Sequence, residues 1–121
     1  MTVASREASV QERAVLPTEA PMILETADLS VTPGHEEAFE AAVREALPLF
    51  TSSAGCEGLS LHRVIETPGL YRLLVRWTAI EDHTVGFRGS EAFRGWRALV
   101  TPHLAAPPAV THSESVVDSA A

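Results

Sequence analysis

Apolar and polar positions alternate over residues 22–31: Ile23, Ala27, Leu29 and Val31 share one face, and Thr26, Asp28 and Ser30 the other. A period of two marks a half-buried β-strand. The period then becomes helical, with Phe39, Val43, Ala46, Leu47 and Phe50 forming an apolar stripe. Thr32 is the expected N-cap of this helix, with Pro33 at its first position and Glu36 and Glu37 in its first turn. Pro48 is expected to kink or end it. After a break at Ser53-Ala54-Gly55, residues 57–66 alternate again, with Leu59, Leu61 and Ile65 set against Ser60, His62 and Val64. Thr67-Pro68-Gly69 reads as a tight turn into a third strand, Leu70–Trp77, so these two strands form a hairpin. Thr78-Ala79-Ile80-Glu81 has capping-box spacing and is expected to open a second helix. Gly86 and Gly89 interrupt that helix, and Ser90 caps a continuation with Phe93, Trp96, Leu99 and Val100 as its stripe. Pro107-Pro108 is expected to stop it, leaving residues 109–117 as a last strand.

The order β-α-β-β-α-β predicts an α+β, ferredoxin-like fold: a four-stranded antiparallel sheet with both helices on one face. The other face is left bare, which predicts a homodimer packed sheet to sheet. Residues 1–21 lack a clean apolar period and are read as an N-terminal arm, helical around residues 4–15 or without regular structure. A dispensable tail is favoured there over an arm wrapping a partner. The domain proper is expected over 22–117, with a C-terminal tail at 118–121.

Composition narrows the functions. A chain of 121 residues, 45% hydrophobic and 21% charged, accommodates one domain with a real core. Nine basic residues, all arginine, against sixteen acidic ones give a net charge of −7, which argues against nucleic acid and anionic membranes as partners. The lone Cys56 excludes an internal disulfide and a multi-cysteine zinc site, and is read as an inert thiol. No apolar run approaches the roughly 20 residues of a membrane span, and no secretory h-region is evident. The expectation is a soluble, cytoplasmic domain.

Phosphate loops, dinucleotide fingerprints, zinc-protease motifs and nucleophile elbows are all missing from the sequence. Histidines at 35, 62, 83, 103 and 112 form no i, i+4 pair, so no metal site is expected. His83 shares an inward stripe with Ile80 and Phe87. It reads as a general base or hydrogen-bond donor in a pocket between sheet and helices, or as an ordinary helix-end histidine. Arg88 is placed to hold an oxyanion, or is a solvated loop residue. Tyr71, Leu73 and Trp77 on the third strand, with Phe87 and Trp96, are candidate walls for a flat substrate, or plain core. Glu25 lies on the apolar face of its strand, where a carboxylate needs a partner or a raised pKa. His112 lies on the strand expected beside it, so a Glu25–His112 contact, structural or catalytic, is left open.

Several segments taken together carry a family resemblance: Ile23-Leu24-Glu25, then Val31-x-Pro33-Gly34 leading to Glu37 and Phe39, and Ala54-Gly55-Cys56. Tyr71 to Val75-Arg76-Trp77, Glu81-Asp82-His83, Phe87-Arg88, Ser90, Phe93, Trp96 and Pro107-Pro108 to His112 complete the set. Over residues 22–116 the chain resembles the antibiotic biosynthesis monooxygenase domain of the dimeric α/β-barrel group. The resemblance implies a sheet-to-sheet dimer and oxidation of a phenolic, hydroquinone or anthrone-type aromatic by O2 without metal, flavin or other cofactor. His83 would then be base or anion stabiliser, Arg88 an electrostatic helper, and Trp77 a pocket wall. Two positions depart from the anthrone oxygenases: Leu73 stands where they have Asn, and His83 where they have Tyr, so their mechanism carries over in part. Ala27, Phe87 and Arg97 stand where the haem-degrading branch has Asn, Trp and His, which disfavours haem degradation. A cyclase or isomerase of a polyketide-like substrate, and a non-catalytic dimeric small-molecule-binding protein, are the alternative functions.

Overall fold

Four strands and two helices follow one another as expected. In the computed structural model, which describes residues 22–119, they are β1 (Ile23–Ser30), α1 (Glu36–Thr51), β2 (Cys56–Arg63), β3 (Leu70–Trp77), α2 (Glu91–Val100) and β4 (Ala109–Glu114). A π-helical turn, Asp82–Phe87, precedes α2, and a 3-10 turn, Thr101–His103, follows it. The strands lie in the order β2-β3-β1-β4, and every neighbouring pair is antiparallel. This is the α+β ferredoxin-like arrangement. The core lies on one face of the sheet, where Ala27 and Leu29 of β1 and Tyr71, Leu73, Val75 and Trp77 of β3 pack with Phe39, Val43, Ala46 and Phe50 of α1 and Trp96 and Val100 of α2. The helix expected around residues 4–15 lies outside the described residues, as do residues 120–121 of the tail.

Local chemistry moves several boundaries. Thr32 is not an N-cap: the His35 N–H donates to the Thr32 carbonyl at 2.9 Å, and Gly34 has φ +91°. Proline followed by a left-handed glycine makes a type II turn, and α1 begins only after it, at Glu36. Pro48 sits inside the helix rather than ending it. Near a C-terminus its missing N–H costs one bond, and buried Phe50 holds the final turn in place. Leu47 lies at the exposed flank of α1, and Ala42 takes the buried position instead. β2 stops at Arg63, so Ile65 falls in the hairpin loop and is 89% exposed.

The Thr78–Glu81 capping box does not form. The Thr78 hydroxyl donates to Glu57 Oε2 at 2.9 Å, and it is Asp82 Oδ2 that accepts from the Ala79 N–H. The chain winds into the π turn, closed by the Arg88 N–H on the His83 carbonyl, five residues back. Ser90 does cap α2, accepting from the Phe93 N–H at 3.2 Å. That helix ends at Val100, well before Pro107, because Thr101-Pro102-His103 tightens into the 3-10 turn. β4 ends at Glu114, leaving Val116 and Val117 exposed.

Candidate functional site

Register puts a carboxyl group among apolar side chains. Glu25 is the third residue of β1, directly opposite Val75 of β3 and His112 of β4, and therefore on the core face. It is 4% exposed. One neighbour satisfies it from the sheet itself: the indole N–H of Trp77, two positions along the same face of β3, donates to Glu25 Oε1 at 2.9 Å. The other comes from the π turn. His83, 3% exposed, places Nε2 at 3.4 Å from the same oxygen and lays its ring on Trp77, with centroids 5.4 Å apart and planes 20° from parallel. Its other nitrogen, Nδ1, lies 2.8 Å from Nε2 of half-buried His112. A line of contacts thus runs indole, carboxyl, imidazole, imidazole. The expected Glu25–His112 neighbourhood exists in the register, but the side-chain connection passes through His83.

Burial dominates the electrostatics. It raises the Glu25 pKa above the usual carboxylate value, against the opposing effects of the Trp77 N–H and the Arg88 guanidinium. Burial also lowers His83 to about 4, helped by the positive charge of Arg88 and by His112. His112 is lowered for the same two leading reasons, desolvation and Arg88. Carboxyl and imidazole are therefore both biased toward their neutral forms. His83 turns a different nitrogen to each neighbour, so the three groups do not converge on a point. Among the described residues no group of three or more His, Cys, Asp or Glu is placed to hold a metal ion.

Glu25 and His83 open onto a cavity of about 740 Å³ between the sheet and α2. Its walls are largely apolar: Leu29, Phe50, Leu73, Phe87, Phe93 and Trp96, with Leu104, Pro107 and Pro108 from the segment before β4. Arg88 and Arg97 contribute the guanidinium groups. Of the residues singled out in the sequence, Glu25, Leu73, His83, Phe87, Arg88 and Trp96 meet here. His112 reaches the site through His83. Trp77 stands behind Glu25 and His83 and is not part of the lining. Nor is Tyr71, whose hydroxyl donates to Glu40 of α1 in a cluster with Arg63. Sequence reasoning did not place Phe50 or Arg97 at the site. Arg97 had a signal, since it follows Trp96 and sits one turn after Phe93, over whose ring its guanidinium lies at 5.9 Å. No helix among the described residues is long and apolar enough to cross a membrane.

Comparison with known proteins agrees with this architecture. A crystal structure from Bordetella bronchiseptica, provisionally assigned as an antibiotic biosynthesis monooxygenase, superposes with a TM-score of 0.79 at 46% identity, covering 81% of this chain and 100% of that one. The uncharacterized protein YczJ of Bacillus subtilis (strain 168) is 39% identical over 95 residues, which are 78% of this chain and all of that protein. A Caulobacter crescentus structure with the same provisional assignment shares the fold, with a TM-score of 0.70 at 22% identity over 80% of this chain and 92% of that one. The family profile described as antibiotic biosynthesis monooxygenase matches residues 22–99. With fold and sequence pointing the same way, the chain belongs to the antibiotic biosynthesis monooxygenase family.

Proposed function

We propose that the protein is a monooxygenase that oxidises a phenolic, hydroquinone or anthrone-type aromatic with O2 inside this cavity, without metal or flavin. The observation that carries the reading is the buried Glu25–His83 pair opening onto an apolar chamber. Triplet O2 reacts poorly with a neutral phenol, but a phenolate or enolate can pass it one electron, so the protein needs a base, an anion-stabilising group and a dry wall. With its proton on Nδ1, directed at His112, His83 offers the Nε2 lone pair as base. Arg88 stabilises the resulting substrate anion. Electron transfer gives a substrate radical and superoxide, which combine to a carbon-bound peroxide. His83 returns its proton to the terminal peroxide oxygen, the O–O bond breaks as the remaining C–H proton leaves, and the products are a carbonyl and water. The substrate supplies all four electrons.

The test is oxygen uptake by chelator-treated protein over a panel of anthrones and hydroquinones. A saturable, protein-dependent rate above spontaneous oxidation is expected. Conversion without O2 would instead mean a cyclase or isomerase, and binding without conversion a small-molecule-binding protein.

The proposal includes a homodimer. The sheet face turned away from the core presents half-buried Leu24, Thr26 and Leu74, in a row fixed by the pairing of Leu24 with Arg76 and Thr26 with Leu74. A second copy would cover that row. Light scattering is expected to give twice the chain mass at micromolar concentration, and Leu74→Glu to give the single mass. A monomeric wild type overturns the dimer.

A further inference from the structure

Arginine is the only strong cation in this chain. On the surface Arg63 pairs with Glu40, Arg72 with Asp28, and Arg94 with Glu91. Arg88 and Arg97, the two that line the cavity, reach no carboxylate within ion-pair distance among the described residues. Arg44 and Arg76 also reach none among the described residues, so what sets Arg88 and Arg97 apart is that both stand on one largely apolar cavity of a chain with a net charge of −7. They have different surroundings. Arg88 stands close enough to Glu25, His83 and His112 for its charge to bear on all three. Arg97 projects from α2 over the Phe93 ring.

We infer that the cavity takes a flat, multi-ring aromatic that carries a carboxylate besides its ionisable hydroxyl, with Arg97 holding the carboxylate and Arg88 the phenolate. This rests on the oxygenase reading only for the role of Arg88. A volume of about 740 Å³ is ample for fused rings. Phe50, Phe87, Phe93 and Trp96 supply flat surfaces, and the fork of Arg97 suits the two oxygens of a carboxylate. A charge-assisted contact with exposed Arg97 at the cavity mouth confers about tenfold in affinity at low ionic strength and weakens with salt.

The probes are 1,8-dihydroxyanthraquinone and its 3-carboxylate, already oxidised and so read by binding alone, through quenching of tryptophan fluorescence. The carboxylate is expected to bind about tenfold more tightly at low ionic strength. Arg97→Gln is expected to bring its affinity down to that of the neutral compound, whose own affinity should change little. Equal binding of both compounds by the wild type, binding of neither, or a preference that survives in Arg97→Gln overturns the inference. A preference lost in Arg97→Gln, with no oxygen uptake from any substrate, sustains it and overturns the oxygenase reading alone.

Discussion

Replacing His83 with glutamine is expected to slow saturable oxygen uptake by a factor of about 100 to 10,000, the range associated with loss of a positioned general base. Glutamine has a similar length and keeps a hydrogen-bond donor and acceptor for Glu25 and His112, but it cannot accept the substrate's proton. His83 is almost wholly buried against Trp77, so the variant's near-ultraviolet circular dichroism must match wild type before the rate is interpreted. Loss of turnover with retained binding of an oxidised aromatic is the expected pattern. Arg88→Gln offers a second route, because Arg88 is exposed and its replacement disturbs no core packing. It should lower the rate less, and should raise the pH at which the rate climbs, since the substrate anion loses its counter-charge. A folded His83→Gln protein with unchanged turnover would show that the base lies elsewhere, with Glu25 the next group on the cavity wall.

The fold was legible because its strands obey a period of two and its helices a period near 3.6, and because Thr67-Pro68-Gly69 left the hairpin one geometry. The Leu70 N–H closes that turn on the Thr67 carbonyl at 3.0 Å. The boundaries that moved did so where two local chemistries competed. Thr32-Pro33-Gly34 can be written as the start of a helix or as a type II turn. The preceding strand settles it, because Val31 donates to Gly69 and Thr32 to His103, which leaves Gly34 to reverse the chain. Thr78 likewise has cap chemistry, but the Gly55 carbonyl just before β2 and Glu57 within it claim its hydroxyl.

The site was legible to the extent that it follows strand parity. Glu25 on an apolar face signalled a buried carboxyl needing a partner, and His112 fell beside it by topology alone. The donor that satisfies it, Trp77, was visible only as a large aromatic. Its N–H becomes a site feature once β3 is registered on β1 so that Ile23 faces Trp77. The π turn was not visible at all. An α-helical reading of residues 80–87 also sends His83 and Phe87 inward, but it is the wider turn and the Asp82 cap that bring His83 over Trp77 and within 3.4 Å of Glu25. Helical periodicity in a six-residue segment cannot tell these windings apart.

Acid should expose the cost of holding His83 neutral. The unfolded chain takes up a proton on this imidazole near its ordinary value of 6.5, whereas the folded protein resists until about 4. Between those values the unfolded state binds the extra proton. Stability therefore falls as pH drops from 6.5 to 4, by on the order of 3 kcal/mol, and levels off below. Half-buried His112, lowered for related reasons, acts in the same direction. Glu25 acts in the opposite one. Its raised pKa lets the folded state keep a proton that the unfolded chain loses above 4.5, so its contribution weakens as pH rises through that range. The wild-type profile is the difference of these effects, and single variants separate them. In urea unfolding followed across pH 4 to 6.5, Glu25→Gln should steepen the loss of stability on acidification, while His83→Gln should flatten or reverse it. Surface carboxylates titrate alike in all three proteins and cancel in the comparison. If His83→Gln paralleled wild type across that interval, His83 would be titrating as it does in water. The buried neutral imidazole on which the proposed base depends would then not exist in solution.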